Sequence, residues 1–404
     1  MGRHGAAEAA LLQGKSNCPT AGETVGLTWG RAATILELRI TVAEHRAEAR
    51  GIAKRKLRRR ACRLNCRVFY HDHCFDGACS ASLFTRFHRE RIGTAQEFSY
   101  HGLMHQAAGK LFDESAFIDG DNAIVDFKYS ASPKVTWWFD HHQSAFLTAE
   151  DRRDYLAWQA QANSAKTLAV RKPADGGKFY DPNYISCTGL IADVARERFG
   201  FDTKPLAELI HWANIVDGAK YESAEAAVEM AEPAMKLTLA IESSGEGFVP
   251  RVIPLLTEMS LQAVLDQPFI QAELGPLMER HRAAIELLRE RTKLTRGVVT
   301  FDITDRSMEG YNKFIPYYLH PAATYTVGLS RSSFRAKVAV GTNPWTKLPE
   351  AMLANIAEIC ERYGGGGHAR VGAVSFAPEK VEEARKAAGE IAAELRAREA
   401  VIQP

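Results

Sequence analysis

The chain has 404 residues, 46% of them hydrophobic and 25% charged, enough to bury a large core and to divide into two or three domains. Its 51 basic residues nearly balance 49 acidic ones, for a formal net charge of +2, so no whole-molecule field draws it to nucleic acid or membrane and any polyanion site must be local. The seven cysteines are odd in number and scattered, which excludes a disulfide framework and fits reduced thiols in the cytoplasm.

In chain order, residues 1–65 are rich in Ala, Gly and Arg and end in the basic run KRKLRRRACR. They are expected to form a poorly ordered leader, and their glutamates argue against a transit peptide. From Cys66 to about residue 250, short apolar runs alternate with amphipathic segments, the pattern of an α/β domain with a mostly parallel sheet and flanking helices. CRVFYH, NAIVDF and KVTWWFD are strand-like in length and in β-branched and aromatic content. Segments 78–89, 186–199 and 205–219 have helical spacing, the last with Leu206, Leu209, Ile210, Ala213 and Val216 on one face. Residues 251–296 are expected to be a helical linker, with one long amphipathic helix over 269–293 as a connector. A smaller C-terminal α/β domain follows over 297–404. It holds the strands VVTFDI, TYTVGLS, FRAKVAV and GAVSF, a glycine-rich segment from Gly364 and a terminal helix over 378–400. No window approaches the ~18 apolar residues of a membrane span.

Open α/β sheets bind ligands outside the carboxyl ends of their strands. Here those ends carry His71, Asp72, His73, Cys74 and Asp76, then Asp126, then Asp140, His141 and His142. One aspartate after a strand is commonplace, but three successive strand ends with Asp or His are not chance. Mixed carboxylate and imidazole ligands suit Mn²⁺, Fe²⁺ or Zn²⁺, and two ions ~3.5–4 Å apart share a bridging carboxylate and a water. In RYGGGGHARVG, consecutive glycines let backbone N–H groups approach an anion beside His368 and Arg370.

These residues resemble a known family. FDHHQS looks like the signature of the DHH phosphoesterases, and YHDHCFDGACSA and VDF resemble their first and second motifs. GGGGHARVGAVSF is similar to the glycine-rich motif of their DHH-associated C-terminal domain. The resemblance implies two divalent ions, most often Mn²⁺, held by His71, Cys74, Asp76, Asp126, His141 and a later acid best matched by Asp217 in HWANIVDGAK. Cys74 stands where an acid is usual, either as a thiolate ligand or as a thiol beside a weaker site, and Asp72 and His73 are alternatives to His71. Asp140 is expected to orient a water or a neighbouring imidazole, and His142 to donate to a phosphate oxygen or protonate the leaving group. Arg331, Ser332, Gly365, Gly366, Gly367, His368 and Arg370 would hold the rest of the substrate, with Arg335 and Lys337 as auxiliaries.

The activity implied is a phosphohydrolase of phosphodiesterase or exonuclease type, in which a metal-activated water cleaves a short oligonucleotide, a nucleotide or a cyclic dinucleotide. An exopolyphosphatase or pyrophosphatase is the alternative, and a non-hydrolytic binding protein with a decayed Cys74 site is a third reading. A cytoplasmic location, no membrane partner and the option of a homodimer complete the expectation.

Overall fold

Five parallel strands form the first sheet in the order β2-β1-β3-β4-β5: β1 (Asn65–His71), β2 (Glu97–Leu103), β3 (Asp121–Val125), β4 (Trp137–Asp140) and β5 (Gly177–Tyr180). This is a computed structural model, and it describes residues 65–402 apart from 94, 96, 105–111, 163–175 and 308–309. The expected leader lies, up to residue 64, outside the described residues. The chain moves from β1 to β2 in one direction and through β3, β4 and β5 in the other, so the strand order reverses between β1 and β3. That reversal opens a crevice at the carboxyl ends of these two strands.

Interior strands of a parallel sheet are buried on both faces and read as unbroken apolar runs. Every residue of β4 is buried, as are residues 122–125 of β3 and residues 68–70 in the middle of β1. The two strands that sequence patterning missed are the edges. In β2, Glu97, Ser99 and His101 are exposed and alternate with half-buried residues, whereas β5 is only four residues long.

The helix α1 (Phe75–Phe87) is buried on almost every side, which requires cover all round. On the far face α2 (Ala149–Ala162) sends Tyr155 against Trp138. Around α1 stand α3 (Cys187–Phe199) and α4 (Ala207–Asp217), followed by α5 (Ala224–Val228), α6 (Pro233–Ser243), α7 (Val249–Glu258), α8 (Leu261–Leu265) and α9 (Pro268–Arg291). The expected linker is therefore more than a connector. Ile253, Leu265, Ile270, Leu274 and Leu277 belong to the same core as Phe84 and Val125, because α1 needs those side chains over it. Only the end of α9 leaves that core: Ala284 and Leu288 pack with Val228 of α5 and with Val299 and Ile315 of the next domain.

The second sheet has six strands in the order β10-β11-β9-β8-β7-β6. They are β6 (Lys293–Thr295), β7 (Val298–Ser307), β8 (Tyr325–Arg331), β9 (Ala336–Thr342), β10 (Gly366–His368) and β11 (Val371–Phe376). Only β7 and β8 pair in parallel. The helices α10 (Ile315–Leu319), α11 (Ile356–Glu361) and α12 (Val381–Ile402) accompany it. Its first strand begins inside the expected linker, because Arg296 and Gly297 take φ 47° and 70°. A two-residue turn of that kind closes a hairpin, with Thr295 paired to Val298.

Candidate active site

At the crevice, β1 ends on His71 and the chain passes through Asp72, His73 and Cys74 into α1. Gly77 seats the helix on the strand end, since a Cβ there would lie 2.1 Å from the His71 carbonyl oxygen. Asp76, fully buried in the first turn, accepts from the Cys187 N–H at 2.7 Å, the Thr188 N–H at 3.1 Å and the Thr188 hydroxyl at 2.6 Å. It thereby caps the N-terminus of α3, where unpaired amides and the helix dipole favour a carboxylate.

Asp126 follows β3 with φ 56°, a left-handed conformation uncommon for a residue with a Cβ and found often at functional sites. Its Oδ2 lies 3.5 Å from His71 Nδ1 and 3.6 Å from Cys74 Sγ. Its Oδ1 lies 3.5 Å from His141 Nε2 and 3.7 Å from His142 Nδ1. One carboxylate thus stands between the first-strand residues and the histidine pair.

Asp140 is buried at the end of β4, and its Oδ1 accepts from the backbone N–H of His141 at 2.8 Å and of His142 at 3.2 Å. The same oxygen takes Nδ1 of His142 at 2.8 Å, so the imidazole that Asp140 meets is that of His142. His141 is oriented differently. Its Nδ1–H donates to the Tyr184 carbonyl at 3.0 Å, which leaves the Nε2 lone pair facing Asp217 Oδ2 at 3.4 Å, Asp126 Oδ1 at 3.5 Å and Asp76 Oδ2 at 3.8 Å. A carbonyl behind one ring nitrogen is the usual way to present the other to a metal.

Three sets of potential ligand atoms each lie within 4.8 Å of one another: His71, Cys74 and Asp126; Asp126, His141 and His142; and Asp76, His141 and Asp217. All six residues assigned to the metals on sequence grounds are therefore together. Asp72 and His73 are in none of the sets; Asp72 Oδ1 accepts from the Tyr70 hydroxyl at 3.3 Å and the His73 N–H at 2.9 Å, and its other oxygen occupies the space that Gly102 leaves open.

The cluster is electrostatically incomplete without cations. Burial, then repulsion by Asp126 and Asp217, raises the Asp76 carboxyl, and burial with the Asp126 charge raises Asp217 to about 6. Burial would lower His141, but Asp126, Asp76 and Asp217 overcome it and push the imidazole up to about 10. Asp126 Oδ1 and His141 Nε2 are buried without a hydrogen-bond partner. Leaving such groups uncompensated costs several kcal/mol per charge; divalent ions between these oxygens and nitrogens fit the donor set and remove that cost. The Cys74 thiol is raised by burial and by the three carboxylates, so it becomes a thiolate only against a cation.

The residues assigned to substrate holding lie on the second sheet. Arg331 ends β8 and is exposed, and the Ser332 N–H donates to the Arg335 carbonyl at 2.8 Å across the following turn. Part of the glycine run is a strand rather than a loop, with Gly366–His368 pairing with β11. A Cβ at Gly365 would lie 2.2 Å from the Ala373 carbonyl oxygen, and one at Gly367 2.3 Å from that of Val371, so close strand approach already accounts for two of the glycines. His368 is exposed, and the Arg370 carbonyl accepts from the Thr342 N–H at 2.8 Å.

Sequence reasoning missed several participants. The Tyr184 carbonyl and the α3 amides are backbone groups and carry no residue-type signal. Glu242 feels both Asp217 and His71, while Lys313 of the second domain opposes the desolvation that raises it. Lys313 is a lone cation between aromatic residues, with no motif around it.

No protein-family model matches the sequence, and no curated protein matches it. Among solved structures, the pGpG-specific phosphodiesterase PggH from Vibrio cholerae superposes with a TM-score of 0.57 at 19% identity, over 83% of this chain and 99% of that one. RecJ from Thermus thermophilus in complex with Mn²⁺ superposes at 0.46 and 12% identity, over 82% of this chain and 52% of that one. An exopolyphosphatase-related protein from Bacteroides fragilis does so at 0.45 and 11%, over 83% and 94%. No described helix is long and apolar enough to cross a membrane. What the superposition on PggH shows is a shared fold over most of both chains, and the FDHHQS motif stands at the end of β4 of that fold.

Proposed function

We propose that the protein is a divalent-metal-dependent phosphohydrolase that cleaves a phosphoester in a short oligonucleotide, nucleotide or cyclic dinucleotide. The observation that carries this reading is Asp126, whose two oxygens face separate ligand sets, His71 with Cys74 and His141 with His142, while His141 is shared with a third set that holds Asp76 and Asp217. Two ions, with Mn²⁺ first among candidates, are supported by this mixed carboxylate, imidazole and thiol set. Bound there, the ions supply Lewis acidity and bring a water towards ionisation near neutral pH.

The side chains do the rest. Asp76 is fixed by the N-terminus of α3 and His141 by the Tyr184 carbonyl, so both hold their positions before substrate arrives. His142 is one third exposed, and its Nδ1 is engaged by Asp140, which leaves Nε2 as the end that meets substrate. Burial lowers its pKa, but the Asp140 hydrogen bond and the charges of Asp126 and Asp140 outweigh that and raise it. A protonated Nε2 donates to a phosphoryl oxygen or delivers a proton to the leaving alkoxide. Arg331, His368 and Arg370 offer cations and donors for the remainder of the substrate, with the exposed Lys313 added from its place near Glu242.

The likeness to a pGpG-specific enzyme makes a linear dinucleotide the first substrate to try. Purified protein with Mn²⁺ should convert pGpG, or a related dinucleotide, to mononucleotides resolved by ion-exchange chromatography. Release of orthophosphate from polyphosphate with no mononucleotide from any dinucleotide would assign the site to phosphoanhydrides instead.

A further inference from the structure

Asp217 is held differently from the other acids of the cluster. Asp76, Asp126 and Asp140 are 0–1% exposed, whereas the Asp217 side chain is 25% exposed. It ends α4, where the helix dipole disfavours a negative charge, and among the described residues no hydrogen bond holds its carboxylate beyond its 3.4 Å approach to His141. Something other than its own helix must keep it in place.

The chain beyond Asp217 is gripped by the second domain. The backbone packs tightly at Gly218, where a Cβ would lie 2.5 Å from Ile185 Cγ2 and 2.8 Å from the Asn214 carbonyl oxygen, and then turns at Ala219 with φ 48°. At Tyr221 the carbonyl accepts from Trp345 Nε1–H at 2.9 Å. The Tyr221 ring meets Phe314 edge-on at 5.3 Å, and Phe314 meets Trp345 at 5.6 Å. Further on, the Ala227 carbonyl accepts from Asn312 Nδ2–H at 2.7 Å. The junction is apolar and buried, with Ala227, Val228, Phe314 and Ile315 in one cluster. Packed side chains of this kind transmit a displacement rather than absorb it.

We propose that Trp345 and Asn312 are positioning residues that set the divalent-ion affinity of the Asp217 side of the cluster. The second domain thus completes the metal centre of the first as well as holding substrate, through the segment from Asp217 to Ala227. This rests on the reading of the cluster as a metal site.

The test uses the full chain and reads metal binding rather than turnover. In Trp345→Phe an aromatic ring still packs on Phe314 but the donor to Tyr221 is gone; Asn312→Ala removes the second grip independently. Mn²⁺ binding by titration calorimetry should weaken about tenfold, the range for loss of a group supporting a metal ligand, at one site, the same one that Asp217→Asn weakens, with the other site unchanged. In a double-mutant cycle, Trp345→Phe on top of Asp217→Asn should cost nothing further, because its effect passes through Asp217. Unchanged Mn²⁺ affinity in both folded variants, with only a lower melting temperature in EDTA, overturns the proposal, as do losses that add to that of Asp217→Asn. A wild-type chain that takes up no Mn²⁺ overturns the metal reading itself, and is seen before any variant is made.

Discussion

The two sheets present polar residues at their edges in opposite ways. At the carboxyl ends of the first sheet, Asp76, Asp126 and Asp140 are buried to within 1%, and buried atoms of Asp126 and His141 lack hydrogen-bond partners. Hydrogen bonds to α3 and to the His141 and His142 backbones compensate Asp76 and Asp140, but folding alone gives no reason to leave Asp126 Oδ1 and His141 Nε2 buried without partners, because burying charge without compensation is costly. On the second sheet, Arg331 and His368 are exposed and can stay solvated at no cost, and Gly365 and Gly367 are accounted for by the approach of β10 to β11. The contrast teaches where function can be read from stability: the first edge is expensive unless something binds there, and the second is not.

Substitutions sharpen that contrast by how much they cost. The largest effect is expected for Asp126→Ala, which removes the carboxylate common to two of the three ligand sets. Loss of metal-supplied charge stabilisation is worth several kcal/mol, on the order of a thousandfold in kcat. Mn²⁺ uptake should fall with it. Retained uptake and turnover would show that Asp126 is a structural acid and would erase the difference between the sheets.

Asp140→Asn should come next. The amide oxygen still accepts from the His141 and His142 backbones, so the fold is kept, while the charge that raises His142 is lost. Turnover should fall about 10- to 100-fold, as for other groups that orient a site from behind, at unchanged Mn²⁺ affinity. A parallel loss of metal binding would instead place His142 among the ligands.

The site was legible in the sequence because its residues follow strands whose buried runs announce themselves. WWFDHH and AIVDF carry their function at the point where the apolar pattern stops. The edges β2 and β5 were not legible: one alternates with exposed polar residues and the other is too short. Residues 251–296 read as a linker because amphipathic spacing tells which face is apolar but not which core that face covers; it is α1, buried on almost every side, that claims their helices. The site's supports were hidden for a different reason. The Tyr184 carbonyl and the α3 amides belong to the backbone, and the glycines from Gly364, read in sequence as an anion cradle, give no sign there of the close strand contact that two of them also make.

That last ambiguity gives the third substitution. Gly365→Ala places a methyl against the Ala373 carbonyl, a backbone atom that cannot swing aside. Overpacking of this kind costs about 1–3 kcal/mol, read as a lower denaturation midpoint. If Gly365 serves the strand contact alone, KM should change no more than folding stability explains; a raised KM at full stability would restore an anion role to its amide.

Arg331→Ala should have the smallest effect. The guanidinium is exposed at the end of β8, so whatever phosphate or carboxylate it meets is met in water, where an ion pair is worth about 1 kcal/mol or less. KM should rise by no more than about fivefold and kcat should not move, because a contact remote from the scissile bond is made equally in ground and transition states. The rise should shrink as salt is added, since exposed charges are screened. A loss of a hundredfold or more would mean that the guanidinium is desolvated when substrate binds, and that the second sheet closes over the site as tightly as the first is packed around its acids.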